Sequence, residues 1–586
     1  MTHPDLRSFL ELLKQEHELQ VVSAPVDPNL ELAEIHRRVI GEQGPSLLFT
    51  NVKGSKFPVV ANLFGTSRRV DLAFGARPEQ LVRQMVEAMN TLIPPTPKAL
   101  WNERNMLMDL LKAGTKQVPQ PAAPVLQVCN TSAPLRGMPN LVSRQEDGGP
   151  FVTLPLVYTE HPDTGRHHLG MHRMQVFDER TAGMHWQLHK GGGFRYDEAA
   201  RRNTALPVTV FLGGPPALTA SAVASVPEHL PKLLLASLLL GSKLPLADNP
   251  NGGHRLVAEA EFAICGSVQP SLRHPERSFG DRYGSFLSHD FPVFQIDCVW
   301  HRKDAIYPAA IVGEPKQEND YLSEFLQRLL SPAVPLVMPG VKSLWTYTET
   351  GFHALAAAAV RESYQGEALT LAFRILGESQ LTQTKFLMLT DQPVDLEHFP
   401  QLLETVLERF DPAKDLIIFN NTPQDTPDHT GSRPNHGSKA VLLGLGAPIR
   451  HLLTQYSGGQ LPGITNVVVY SRGCLMVQGA SYEKDPGLAE RLLEGTGTKL
   501  SPWPLVVLVD DAAAAVQNQT SFLRTVFTRF HPAADMYSNA KVRRHHITYE
   551  IPLIVDARMK PGDPDELFPR EDIVRLVDRR WNEYFA

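Results

Sequence analysis

Between Val125 and Ala310 strand signals follow one another: VTLPLVYT, HRMQVF, LPVTVFLG, RLVAEAEFAI and FPVFQIDCVW. A single strongly helical piece, Val226 to Gly241, interrupts them. Short apolar runs of this kind bury a face only by pairing into one sheet, so a β-barrel with an inserted helix is expected here. The flanks read differently. Upstream, Leu6 to Leu13 carries apolar residues at helical spacing, LQVVSAPV reads as a strand, a helix follows over about Asn29 to Val39, and SLLFTNVKG and FPVVANLFG pair through a turn. The Pro-rich passages IPPTPKAL and VPQPAAPVL read as an extended connector. Downstream, Asn319 to Leu330 is amphipathic, and LTLAFRIL, KFLMLTD, DLIIFNN, NVVVYS and LVVLVDD read as strands alternating with helices such as LEHFPQLLETVLERF, an α/β layer pattern. The expected fold is therefore a multidomain α+β and α/β chain. It divides into an N-terminal α/β domain (1–120), a β-barrel (121–312), an inter-domain helical linker (313–366) and a C-terminal α/β domain with an extension (367–586).

The C-terminal part contains an echo of itself. TVLERFDPAKDL (Thr405 to Leu416) and TVFTRFHPAADM (Thr525 to Met536) share seven of twelve residues. Each follows a strand ending in Asp, at Asp391 and at Asp510 or Asp511, so a duplicated strand-helix unit is expected.

A chain of 586 residues is too long for one core, and 42% hydrophobic with 20% charged residues is ordinary for a globular protein. The net charge of -6 argues against a non-specific nucleic-acid partner. No apolar run approaches the roughly 18 residues of a membrane span, and the acidic and basic start is unlike a signal, so a cytoplasmic enzyme without membrane insertion is expected. Cys129, Cys265, Cys298 and Cys474 are scattered without metal-ligand spacing and read as reduced thiols; Cys474, in SRGCLMVQG, reads as structural or as reactive.

Unusual chemistry concentrates between Asp147 and Gly193. FVTLPLVYT is closed by a turn at His161 to Gly165, and MHRMQVF alternates like the second strand of a hairpin, with Arg173 on a defined face. His185, Trp186, His189 and Lys190 then precede Gly191 to Gly193, whose bare backbone N–H groups suit a phosphate. The same residues equally describe a His-rich surface hairpin. Farther on, Glu276 and Asp281 lie five apart in HPERSFGDRYGSF. Two carboxylates in one loop either raise one another's pKa into the range of a proton donor or form a solvated charged loop.

DGGPFVTLP, LGMHR and HKGGG, in that order and spacing, resemble the prenylated-flavin-dependent decarboxylases of the UbiD family, and the resemblance runs through most of the chain. It implies a split β-barrel holding prenylated FMN. Residues Met171, His172, Arg173, His185, Trp186, Gln187, Lys190, Gly191, Lys232 and Lys439 would lie against the cofactor. It also implies a catalytic set of Arg173, Glu276 and Asp281, the arginine binding carboxylate, Glu276 pairing with it and Asp281 donating the proton. Arg277-Ser278 replaces the family's Gly-Pro within that loop. The family's metal is held by Asn, His and Glu; here His168 stands for Asn, His189 is kept, and Lys232 stands for Glu. Manganese and potassium are left open by that change, with Glu228 one turn before Lys232 as a substitute ligand.

The resemblance implies decarboxylation of an aromatic or α,β-unsaturated acid, possible in reverse as carboxylation, within quinone (menaquinone or ubiquinone) biosynthesis. A non-catalytic member of a complex is the alternative. Expected partners are the carboxylic acid substrate, a prenyl-flavin synthase as cofactor supplier, and further copies of the chain in a homodimer or larger homo-oligomer built through the α/β domain.

Overall fold

The computed structural model describes the chain except residues 1–2, 93–95, 187–190, 227–229, 277–279, 282–283, 286–288, 312–315, 352–353, 434, 496, 565–566 and 586. Of some further residues, Glu276 and Asp281 among them, it describes the backbone alone. Two compact units result, one of residues 1–330 with 566–586 and one of residues 331–565.

The first unit begins with the helix Leu6–Gln15. Asp5 caps it by accepting from Ser8 N at 2.9 Å while Ser8 returns a contact to the Asp5 backbone, and Leu6, Phe9, Leu10 and Leu13 form its buried face. A four-stranded sheet of Leu19–Val22, Ser46–Phe49, Val59–Ala61 and Tyr307–Ala309 follows. Its fourth strand comes from far along the chain, so the N-terminal piece closes its sheet with a segment beyond the barrel. The helix Pro97–Asn102 occupies part of the expected Pro-rich connector.

The central sheet has nine strands. Their order is Phe151–Val152, Met174–Val176, Thr181–Met184, His289–His301, Phe262–Glu276, Leu206–Leu212, Leu156–Glu160 and His167–Met171, with Val128–Asn130 added beside His289–His301. His167–Met171 ends one side of this path, yet only residues 172 and 173 separate it from Met174–Val176 near the other side. Two intervening residues reach on the order of 10 Å, so the sheet must roll until its ends face each other. The result is a half-barrel with a seam at His172-Arg173. This corrects the expected hairpin: Leu156–Glu160 pairs with His167–Met171, and Met174–Val176 pairs with Phe151–Val152 and Thr181–Met184 instead. Arg173 therefore lies between strands rather than within a ribbon.

The final helix, Glu571–Tyr584, also belongs to this unit, which corrects its assignment to the C-terminal domain. Val577 and Tyr584 are buried in the first unit's core, Tyr584 OH donates to Glu31 Oε1, and Arg38 pairs with Asp578 at 2.6 Å. Sequence periodicity alone does not say which surface a helix covers.

The second unit holds two five-stranded sheets. One has the order Val341–Thr346, Leu355–Val360, Phe386–Thr390, His436–Gly444, Leu416–Pro423; the other has Ile464–Ser471, Cys474–Gly479, Leu505–Val509, Leu553–Asp556, Met536–Tyr537. The successive pairings match one for one: antiparallel, parallel, parallel, antiparallel. The duplication is thus a whole sheet with its helices, larger than the strand-helix unit read from twelve residues. Helices Phe399–Leu407 and Gln519–Phe527 of the two copies bury Leu402, Leu403 and Val406, and Phe522, Leu523 and Val526, in one shared core. An apolar cavity of about 40 Å³ lies there, lined from both copies. Two further expectations are corrected. The linker 313–366 contributes the first two strands, and LTLAFRIL lies in the helix Glu367–Leu376, where Ala368, Leu371, Ala372 and Ile375 repeat at helical spacing on its buried side.

Candidate active site

At the seam, the strand His167–Met171 carries His168 and ends beside His172. A Cβ added to Gly170 would come within 2.5 Å of His172 Nε2 and 2.8 Å of His168 Nε2, so both ring edges face the space that glycine leaves open. The two ring centroids are 6.1 Å apart. His168 Nε2 is buried without a hydrogen-bond partner among the described residues. Burial, and then the positive charge of Lys232, hold the His168 imidazole well below its ordinary pKa, so it is neutral. Lys232 opens the helix Lys232–Leu240, and its Nζ donates to the Ala222 carbonyl at 2.9 Å, near the end of the helix Pro216–Val223. His167 Nε2 accepts from Leu233 N at 3.4 Å, tying this helix to the strand.

The three glycines open the helix Gly191–Arg201 instead of forming a loop. Their amides remain suited to an anion, since the first N–H groups of a helix lack internal acceptors. A Cβ on Gly192 would sit 2.7 Å from Trp186 Nε1, which is buried and has no partner among the described residues. His185 donates its backbone N–H to the Arg173 carbonyl at 3.3 Å and lies 4.4 Å from the Phe291 ring, on the strand that pairs with the Glu276 strand. The structure thus gathers Met171, His172, Arg173, His185, Trp186, Gly191, His168 and Lys232 around one end of the half-barrel. Gln187, Lys190, His189 and Glu228 lie outside the described residues. The backbone of Glu276 ends the strand Phe262–Glu276 opposite His289, and Asp281 lies in a two-residue strand paired with Gly284–Ser285; the side chains of both are also outside.

Lys439 belongs to the second unit. It is buried on His436–Gly444, donates to the Thr384 carbonyl at 2.7 Å, and is pushed down to about 8 by burial, against the opposing pull of Asp428 and Asp425. Sequence reasoning missed its neighbours: Lys385 and Asp428 form a buried ion pair at 2.9 Å, with Gln424 and Thr430 bonded to the same group. Nothing in KFLMLTD or TPDHTG signals that pairing; only strand register creates it.

Among the described residues, no donor set for a divalent cation is assembled at the seam. Among the described residues the one trio of potential ligands at metal distance is His161, Asp163 and Glu198. Those atoms are already engaged, Asp163 and Glu198 by Arg202 and Glu198 by His161. The described groups that act on His168 are Lys232, His172, Arg195 and His167, and none offers the anionic oxygen that a hard ion requires.

Family models match at three places: the 3-octaprenyl-4-hydroxybenzoate carboxy-lyase N-terminal domain over residues 10–89, its Rift-related domain over 116–315, and its C-terminal domain over 320–444. The chain belongs to the UbiD family of carboxy-lyases. A Chlamydia trachomatis protein is 47% identical over 586 residues, covering 99% of each chain. A Chlamydia pneumoniae protein, named as one of the subunits of a 4-hydroxybenzoate decarboxylase, is 45% identical, covering 99% of this chain and 98% of its own. The fold is that of UbiD-class structures. Vanillic acid decarboxylase of Sedimentibacter hydroxybenzoicus superimposes with a TM-score of 0.67 at 23% identity, over 78% of this chain and 95% of its own. The UbiD-class enzyme HmfF of Pelotomaculum thermopropionicum, in complex with FMN, gives 0.61 at 22% identity, over 78% and 98%. The UbiD C-terminal match stops at residue 444, the end of the first α/β copy, so the second copy lies past it. No helix among the described residues is long and apolar enough to cross a membrane.

Proposed function

We propose that the chain is a prenylated-FMN-dependent decarboxylase of an aromatic or α,β-unsaturated carboxylic acid. The carrying observation is the seam, where Arg173, the glycine-opened space between His168 and His172, and the Trp186–Gly192 contact converge on one end of the half-barrel. The buried His168 Nε2 and Trp186 Nε1, without a partner among the described residues, and the close backbone approach fit a polar, planar cofactor with an anionic tail. When bound, the flavin would supply an electrophilic carbon and take up the electron pair left by departing carbon dioxide.

The chain's residues do the rest. Arg173 holds the substrate carboxylate through its planar fork. Glu276 pairs with the arginine and orients it. Asp281 gives its proton to the substrate carbon. At the phosphate end, Lys232 with Lys190 would supply positive charge that a metal would otherwise bring, and a divalent ion would be absent or weakly held by His168 and His189. The carboxylating direction uses the same groups in reverse. Quinone biosynthesis, a cytoplasmic location, cofactor supply from a prenyl-flavin synthase, domain limits at about residues 120 and 312, and self-association as a homodimer or larger homo-oligomer belong to the same proposal. The Chlamydia pneumoniae relative is named as one part of a multi-part decarboxylase, which favours a second reading in which the chain works within a complex.

Asp281→Asn tests the assignment. A neutral amide fills the space but cannot donate the proton, so turnover is expected to vanish while folding and flavin retention persist. Near-wild-type decarboxylation by the purified variant removes Asp281 from the mechanism.

A further inference from the structure

Three of the four cysteines, remote in sequence, meet on the half-barrel sheet away from the seam. Cys265 and Cys298 are direct partners across the antiparallel strands Phe262–Glu276 and His289–His301. Cys129, on Val128–Asn130, pairs with Trp300, two residues beyond Cys298, and residues two apart on a strand share a face. The loop Asn249 to Gly253 delivers two amides onto this group. Asn251 Nδ2 stands 3.6 Å from Cys129 Sγ and 3.3 Å from Cys298 Sγ, so one donor spans two sulfurs. Asn249 Nδ2 stands 3.7 Å from Cys265 Sγ, while its Oδ1 accepts from Trp300 Nε1 at 3.1 Å and from Asn251 N at 3.1 Å. Those two contacts settle which end of the amide faces the sulfur.

All four cysteines are free thiols, as expected, but three of them are neighbours and Cys129 is exposed. A cysteine that merely fills space needs no donors, whereas these sulfurs receive three amide contacts. Hydrogen bonds from Cys265, Asn251 and Cys129 push Cys298 down to about 6 despite its burial, and Cys265 and Cys129 are pushed up. Negative charge thus collects on the middle sulfur. Accessibility is divided the other way: Cys129 is exposed, and Cys298 is 2% exposed. Cys474, by contrast, is buried among apolar residues and raised by desolvation, as its structural reading requires.

We propose that Cys129 and Cys298 form a hydroperoxide-reactive dithiol, in which the exposed sulfur takes the oxygen and the amide-supported buried sulfur closes the disulfide. The Cys129 thiol gives up its proton as its sulfur attacks the distal peroxide oxygen, the O–O bond breaks, and the leaving oxygen takes that proton and departs as an alcohol, or as water from hydrogen peroxide, leaving a sulfenic acid. The Cys298 thiolate attacks that sulfur, the S–O bond breaks, and hydroxide leaves. Two electrons pass from two thiols to one peroxide, and Cys265 behind Cys298 remains a thiol. One amide nitrogen 3.6 Å from Cys129 Sγ and 3.3 Å from Cys298 Sγ bounds the separation the disulfide must close, and Val128–Asn130, three residues long, pairs with His289–His301.

Reduced full-length protein titrated with hydrogen peroxide, alkylated and mapped by mass spectrometry decides the matter. The expected result is loss of two of the four thiols and one linked peptide pair, Cys129 with Cys298, reversed by dithiothreitol. Cys298→Ser should leave Cys129 as a sulfenic acid trapped by dimedone, and Cys265→Ser should leave the disulfide intact. Four alkylatable thiols after excess peroxide, a Cys265–Cys298 link in place of the expected one, or Cys129 oxidised alone in the wild type would each overturn the proposal. The wild-type map stands even where a variant fails to fold.

Discussion

The two copies of the α/β sheet share their scaffold and differ in their cations. Asp391, after the third strand of the first copy, accepts from Gly446 N at 3.1 Å; Asp510, in the corresponding place of the second, accepts from Met559 N at 2.7 Å. Asp415 and Asp535 likewise accept from the backbone of Asp411 and His531. Yet Lys385 directly precedes Phe386–Thr390, while Pro504 directly precedes Leu505–Val509. Lys439 precedes Ala440, which pairs with Phe386, whereas Pro552 precedes Leu553, which pairs with Leu505. The second copy shows that this fold needs neither lysine. Burying them costs desolvation, so their presence in one copy marks a task beyond folding. The second copy's own contribution is packing and support: it covers the first copy's apolar helix face, and Ser438, next to Lys439, accepts from Ala533 N at 2.9 Å and contacts His531 Nδ1 at 3.2 Å.

The shared core is where this comparison breaks most severely. Leu403→Asp and Leu523→Asp occupy matching positions of the two helices, and each would bury an unpaired carboxylate. Both are expected to abolish soluble second-unit structure, read by limited proteolysis. A Leu523→Asp protein that resists protease like the wild type would make the second copy independent of the first.

Next in size is the buried ion pair. Asp428→Ala strands the Lys385 ammonium and should cost about 3–5 kcal/mol in denaturant unfolding, most of it regained in Lys385→Met/Asp428→Leu, because the copy with Pro504 folds without the pair. Burial pushes the Asp428 carboxyl up, but Lys385 and Thr430 outweigh it and its pKa falls below the ordinary value. Its contribution is therefore present above the unfolded carboxylate pKa and lost as pH drops through the lower folded value. Equal stability losses in single and double variants would count against the pair as an added device.

How far these features were legible differs by range. The hairpin turn at His161 to Gly165, the amphipathic Asn319–Leu330 segment and the twelve-residue echo are local patterns, and each reappears in the structure. The seam at Arg173 was not legible, since a strand's partner depends on how a distant sheet rolls. LTLAFRIL misled because β-branched and aromatic residues mask its helical spacing. The three cysteines converge only through the register of Cys265 with Cys298 and Cys129 with Trp300. Lys232 and His168, matched through a resemblance, do come together at the seam.

Smallest is the effect of pH through Lys439. Its folded pKa, about 8, lies below the ordinary 10.5, so between those values the unfolded chain binds more protons and stability rises with pH. Lys439→Met should flatten that rise in the flavin-free protein. A bound phosphate should also flatten it in the wild type by drawing the lysine back to its charged form. An unchanged profile in Lys439→Met would place the titration elsewhere.

The most direct test of the central claim, that lysines replace a metal at the flavin phosphate, is elemental analysis of the flavin-loaded full chain. The account expects prenylated flavin at one per chain with no stoichiometric divalent ion, and flavin affinity that falls in Lys232→Glu unless a metal is supplied. One divalent ion per bound flavin, removed only together with the flavin, would contradict it.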